Sequence, residues 1–158
     1  MATPDFIHTL RASAGHQLLW IPGVTAVVLD DAGRILLGQR ADNHEWALIG
    51  GIPDPGEQPA DCAVREVYEE TAVRCVAERV VSVGVSRVIT YANGDICQFM
   101  DITFRCRPVA GEPRVNDDES LAVGWFALDA LPPLRNGHRL RIKQALSDEP
   151  TWFEATAG

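Results

Sequence analysis

Between Gly50 and Gly56 the chain reads GGIPDPG, and directly after it the apolar spacing switches to a helical period. Neither a helix interior nor a central strand accommodates Pro53 and Pro55, because proline lacks the N–H that both ladders require. The segment is therefore a stiff loop that delivers a helix. Pro59 falls in the first turn of that helix, where a missing donor costs nothing. At about 100° per residue from Gln58 onward, Ala60, Ala63, Val64, Val67 and Thr71 share one arc, which predicts the buried face of a helix ending near Thr71.

The remaining patterns surround this helix with strands. A helical turn over about Pro4 to Ala12 leads into an apolar segment from Gln17 to Leu29. Asp30-Asp31-Ala32-Gly33 is a turn signal, and Arg34 to Arg40 reads as the returning strand of a hairpin. Trp46 to Ile49 is a short apolar run. Val73 to Val88 is β-rich, and Ala92-Asn93-Gly94 between Arg87–Tyr91 and Asp95–Arg105 carries the Asn-Gly pair favoured in tight hairpins. Leu121 to Leu128 predicts a further strand, and about Gly137 to Ser147 a last amphipathic helix with Arg139, Arg141 and Lys143. Strands on both sides of a central helix, with another helix at the end, predict an α/β fold with helices packed on a mixed sheet. At 158 residues, the expectation is a single domain over residues 1–158.

Charge narrows the partners. Asp and Glu number 22 against 14 Lys and Arg, a formal net charge of -8. Such a surface repels nucleic acid and anionic membranes. An anionic substrate would need a cation between itself and the protein. The N-terminal stretch MATPDFIHTLRAS lacks a secretion signal, and no apolar run reaches the roughly 20 residues that span a bilayer, so a cytoplasmic location is expected. Cys62, Cys75, Cys97 and Cys106 show neither a C-x-x-C pair nor zinc spacing and read as reduced thiols.

The chemistry concentrates on one flank of the predicted helix. Glu66, Glu69 and Glu70 stand three and four residues apart, bordering the core arc, where like charges cost a few tenths of a kcal/mol per pair. Glu69 and Glu70 also lie near the unfavourable end of the helix dipole. A bound Mg²⁺ or Mn²⁺ removes that repulsion, since hard cations take carboxylate oxygens. Glu57 reaches the same region from the loop, and Arg65 stands where its guanidinium holds a carboxylate by paired hydrogen bonds.

The segment from Gly51 to Val73, GIPDPGEQPADCAVREVYEETAV, resembles the Nudix box, G-x5-E-x7-R-E-U-x-E-E-x-G-U with U a bulky aliphatic residue. Gly51, Glu57, Arg65, Glu66, Val67, Glu69, Glu70 and Val73 match in register. Ala72 replaces the final glycine and so questions the helix exit, and Ile49 stands where the family often has proline. The flanking GRILLGQR, Trp46 and GWFALDALP extend the likeness over about Thr25 to Pro132.

The resemblance implies a Nudix-type α/β/α sandwich and a metal-dependent hydrolase that cleaves the diphosphate linkage of a nucleoside diphosphate derivative or a nucleoside triphosphate. By position it implies metal ligands at the Gly50 carbonyl, Glu66, Glu69 and Glu70, with Glu57 assisting. It implies catalytic roles for Glu66, Arg65 and the loop residue Glu119, with Glu66 or Glu119 as the base. Arg40 is a candidate for substrate phosphate, or alternatively pairs with Asp42 or Glu45. Phe6, Trp20, Tyr91 and Arg87 are candidates to stack on a base, and His44 is expected to be exposed. A homodimer is a family-level expectation. The alternative is a Nudix-fold regulator that binds a nucleotide or nucleotide sugar without turnover; such modules lose box carboxylates, which here are all present.

Overall fold

The long strand β7, Ile96–Ala110, organises the molecule. In the computed structural model, which describes residues 3–155, it pairs in parallel with β1 (Leu19–Val28) and antiparallel with β5 (Arg74–Val85). The two ends of the expected 1–158 domain thus lie outside the described residues. Beyond β1 comes the short antiparallel β4 (Ile49–Gly51), and beyond β5 the parallel β9 (Trp152–Phe153). The little strand β6 (Ile89–Thr90) joins β7 through the predicted hairpin, in which the Gly94 N–H donates to Tyr91 and Gly94 adopts φ 89°.

A second, antiparallel sheet orders β3 (Trp46–Ala47), β2 (Ile35–Arg40) and β8 (Ser120–Phe126). This corrects the expected hairpin. The turn forms as its residues require, with Asp30 Oδ1 accepting from the Ala32 and Arg34 N–H groups. Yet β1 and β2 share only the bridge Leu29–Ile35 and then enter different sheets. Both edges of β1 are taken by β4 and β7, and its unbroken buried run from Gly23 to Val28 is that of a strand covered on both faces.

Helices cover those two faces. Val24, Ala26 and Val28 pack with Cys62, Ala63 and Val67 of α2 (Pro59–Thr71), whereas Val27 packs with Ile142 and Ala145 of α3 (Asn136–Leu146). The alternation along β1 therefore places α2 and α3 on opposite sides, the expected α/β/α sandwich. The first helix, α1 (Asp5–Ala14), docks through Ile7, which meets Ile21, Ile52 and Cys97. The four cysteines are free and buried. Among the described residues no helix is long and apolar enough to cross a membrane.

The helix α2 spans the predicted residues, and Ala72 ends it in the left-handed region at φ 59°, its N–H donating to Tyr68. A left-handed alanine costs about 1–2 kcal/mol. Glycine would relieve this, but it would leave a buried methyl unfilled, at about 0.8 kcal/mol, and loosen the unfolded chain by about 0.4–1 kcal/mol. Ala72→Gly is therefore expected to change stability by less than about 1 kcal/mol in urea unfolding. A larger gain would mean that the exit is more strained than its backbone angles indicate.

Candidate active site

Arg65 gathers the carboxylates of the predicted cluster. Its Nε and Nη2 donate to the two oxygens of Glu57 at 2.8 and 3.0 Å, a bidentate fork that crosses from the helix to the loop before it. Its Nη1 donates to Glu66 Oε1 at 3.0 Å and to Glu69 Oε2 at 2.9 Å. The paired bond thus goes to Glu57 and the single bonds to the helix glutamates. This contact holds the Glu57 carboxyl below the usual carboxylate range and raises the Arg65 guanidinium further above its own. Glu57 also accepts the Asp54 N–H, which fastens the Pro53–Gly56 loop to the helix.

The three helix glutamates have different environments. Glu69 is open to solvent, with its side chain 52% exposed. Glu66 is only 5% exposed and belongs to the buried side of α2, beyond the flank that periodicity suggested. The reason lies across from it: a Cβ on Gly51 would overlap the Glu66 carboxylate, so the missing side chain of Gly51 makes the cradle in which Glu66 lies. Burial raises the Glu66 carboxyl, against the pull of Arg65. Glu70 points elsewhere, toward Gly38 on β2. Burial, with the negative charges of Glu66 and Asp117 nearby, pushes its carboxyl up to about 8.

Asp117, two residues before the candidate base Glu119, belongs in this neighbourhood. It is half-buried and accepts the Glu119 and Ser120 N–H groups, so the loop turns its charge inward toward Glu70. Glu119 itself is half-buried, and its carbonyl accepts the Ala41 N–H, tying the loop to the end of β2. Arg40 ends β2 and forms a two-bond ion pair with Asp42 at 2.9 and 2.7 Å. That bond raises its pKa, and the negative charge of Glu70 adds to the effect.

Gly50 sits in β4 opposite Thr25, and a Cβ there would come within 2.6 Å of the Val24 carbonyl, so only glycine lets β4 lie so close to β1. Among the described residues, no three Asp, Glu, His or Cys side chains stand close enough together to hold a cation as they lie. The donor chemistry nevertheless fits a hard divalent cation: carboxylates and a backbone carbonyl, with no sulfur or imidazole among them. Arg65 supplies one positive charge shared among three of those carboxylates, which leaves the cluster net negative.

A cavity of about 520 Å³ opens beside the cluster, with Arg65, Glu66 and Glu69 in its lining. Of the four candidates for base stacking, Phe6 alone lines it; Trp20 and Tyr91 are 56% and 39% exposed elsewhere, and Arg87 is exposed. His44 is exposed in the loop after β2, as expected.

Comparison with known proteins agrees with this geometry. The NUDIX domain family model matches residues 19–146. A MutT-like protein of Streptomyces ambofaciens is 36% identical over 124 residues, 78% of this chain and 75% of its own length. Among solved structures, a MutT NUDIX hydrolase from Burkholderia pseudomallei is 33% identical with a TM-score of 0.59, covering 80% of this chain and 98% of that one. An ADP-ribose pyrophosphatase from Streptococcus suis is 29% identical with a TM-score of 0.62, covering 82% of this chain and 94% of that one. The box residues, the two-sheet sandwich and the match over most of the chain lead to one assignment: this protein is a member of the Nudix family.

Proposed function

We propose that the chain, acting as one domain, hydrolyses the diphosphate linkage of a nucleoside diphosphate derivative or a nucleoside triphosphate with the help of Mg²⁺ or Mn²⁺. The observation that carries this reading is the convergence of Glu57, Glu66 and Glu69 on Arg65, with Glu66 sunk against Gly51 and Glu70 half-buried on the adjoining flank. A chain selected for folding alone gains little from burying one carboxylate and half-burying a second on the same helix.

The Gly50 carbonyl, Glu66, Glu69 and Glu70 would hold the metal, with Glu57 assisting. When bound, the metal neutralises the diphosphate and lowers the pKa of an attacking water. Glu66 is the preferred acceptor for the proton of that water. It lies against Gly51, and the Arg65 Nη1 contact fixes its orientation. Glu119 is the alternative base, carried on the loop that also brings in Asp117. Arg40 would meet substrate phosphate by exchanging Asp42 for a phosphate oxygen, a change of acceptor that suits its planar fork.

The test is a panel containing ADP-ribose, nucleotide sugars, dinucleoside polyphosphates and nucleoside triphosphates, each with Mg²⁺ or Mn²⁺ and with chelator. ADP-ribose comes first because the Streptococcus suis relative is an ADP-ribose pyrophosphatase. The expected result is metal-dependent release of nucleoside monophosphate from at least one member. Binding of a nucleotide without cleavage of any would replace the enzyme with a binding regulator.

A further inference from the structure

The cavity beside the carboxylates combines charged and apolar lining. The α2 side presents Arg65, Glu66 and Glu69, whereas the start of α1 and the loop before α2 present the apolar Pro4, Phe6 and Ile52 with the polar Thr3, Asp5 and Asp54 among them. At about 520 Å³ it falls in the range of small-molecule sites, roughly 300–1,000 Å³. The α1 wall lies outside residues 19–146, so the family match assigns it nothing.

We propose that Phe6 is a specificity-determining residue of this site, giving the flat apolar face against which the base of a nucleoside diphosphate derivative packs. The reading rests on the hydrolase function proposed above. A nucleotide has the same two-part character as the cavity: an anionic diphosphate that belongs with the metal-binding carboxylates, and a flat ring that loses little by leaving water for an aromatic face. A sugar or polyphosphate has no such apolar part to set against the ring of Phe6.

The wall is built before any ligand arrives. Ile7, next to Phe6, is 4% exposed and packs on Ile21, Ile52 and Cys97, with Phe6 itself against the same cluster. At the other end of α1, Arg11 donates to the carbonyls of Gly15 and Gln17 and, across to β7, to that of Ile96 at 2.7 Å and the Cys97 sulfur at 3.1 Å. A helix held at both ends keeps Phe6 in place, so a base meeting it need not order the wall.

The test uses the full chain as wild type, Phe6→Leu, Phe6→Ala and Phe6→Trp. Isothermal titration in Mg²⁺ gives the affinities for ADP and for inorganic pyrophosphate. Phe6→Leu, which keeps apolar packing but loses the ring, is expected to weaken ADP about tenfold, the order of one lost base stack, and to leave pyrophosphate unchanged. Phe6→Trp is expected to restore ADP binding, and thermal melting checks that each variant is folded. Unchanged ADP affinity in folded Phe6→Leu and Phe6→Ala overturns the proposal and leaves the hydrolase reading intact. Parallel weakening of ADP and pyrophosphate also overturns it, by showing that Phe6 only supports the carboxylates. A wild type that binds neither probe and cleaves no member of the panel overturns the hydrolase reading, and this proposal with it.

Discussion

Glu70→Gln is expected to lower Mg²⁺-supported turnover by about 10³-fold or more while the protein remains folded. Glutamine keeps the shape of the side chain but cannot carry the charge that a cation requires, and the loss of a positioned metal or base is worth at least this much. The fold should tolerate it. Burial and the neighbouring charges of Glu66 and Asp117 push the Glu70 carboxyl up to about 8, so its ionised form is a burden on the native state. The measurement is kcat across a Mg²⁺ titration, paired with a urea unfolding curve. Turnover like wild type in the mutant would remove Glu70 from the proposed ligand set. Loss of turnover together with a lower unfolding midpoint would mark it as structural.

Gly51→Ala is expected to be the next most damaging change, although it alters no charge. The new methyl would occupy the space of the Glu66 carboxylate, which is 5% exposed and has little room to turn. The side chain must rotate away, losing its contact with Arg65 Nη1 and its place in the cluster. Overpacking of this kind costs about 1–3 kcal/mol of stability. Displacing a catalytic carboxylate by about 1 Å costs on the order of 10²-fold in rate. A kcat/KM within twofold of wild type would show that Glu66 has freedom the structure does not display. The same change at Gly50 would act differently, because there the obstacle is the Val24 carbonyl and the strand pairing itself would have to give.

These two residues also mark where sequence reasoning stopped. The bounds of α2 were legible because they rest on local signals: prolines before it, Pro59 in its first turn and apolar residues at helical spacing. The Asn-Gly hairpin was legible for the same reason. The burial of Glu66 was not, since periodicity places a side chain relative to its own helix and says nothing of a glycine on a facing strand. Nor was the separation of β1 from β2. Their turn was read correctly, but a turn decides only how the chain reverses, and the partner of each strand was decided by β7 and β8, far away in sequence. The inward turn of Asp117 was not legible either, because nothing in an acidic loop sequence shows that its carboxylate accepts two backbone N–H groups.

The parallel pairing of β1 with β7 bears on how the molecule is made. Leu19 lies opposite Cys97 and Val28 opposite Cys106, so every rung of this ladder closes a loop of 78 residues (97 − 19 and 106 − 28). Closing such a loop is entropically costly before any contact rewards it, and topologies dominated by distant pairings fold slowly. On the ribosome, β1 emerges long before its partner, with a run of six residues that are buried in the finished sheet.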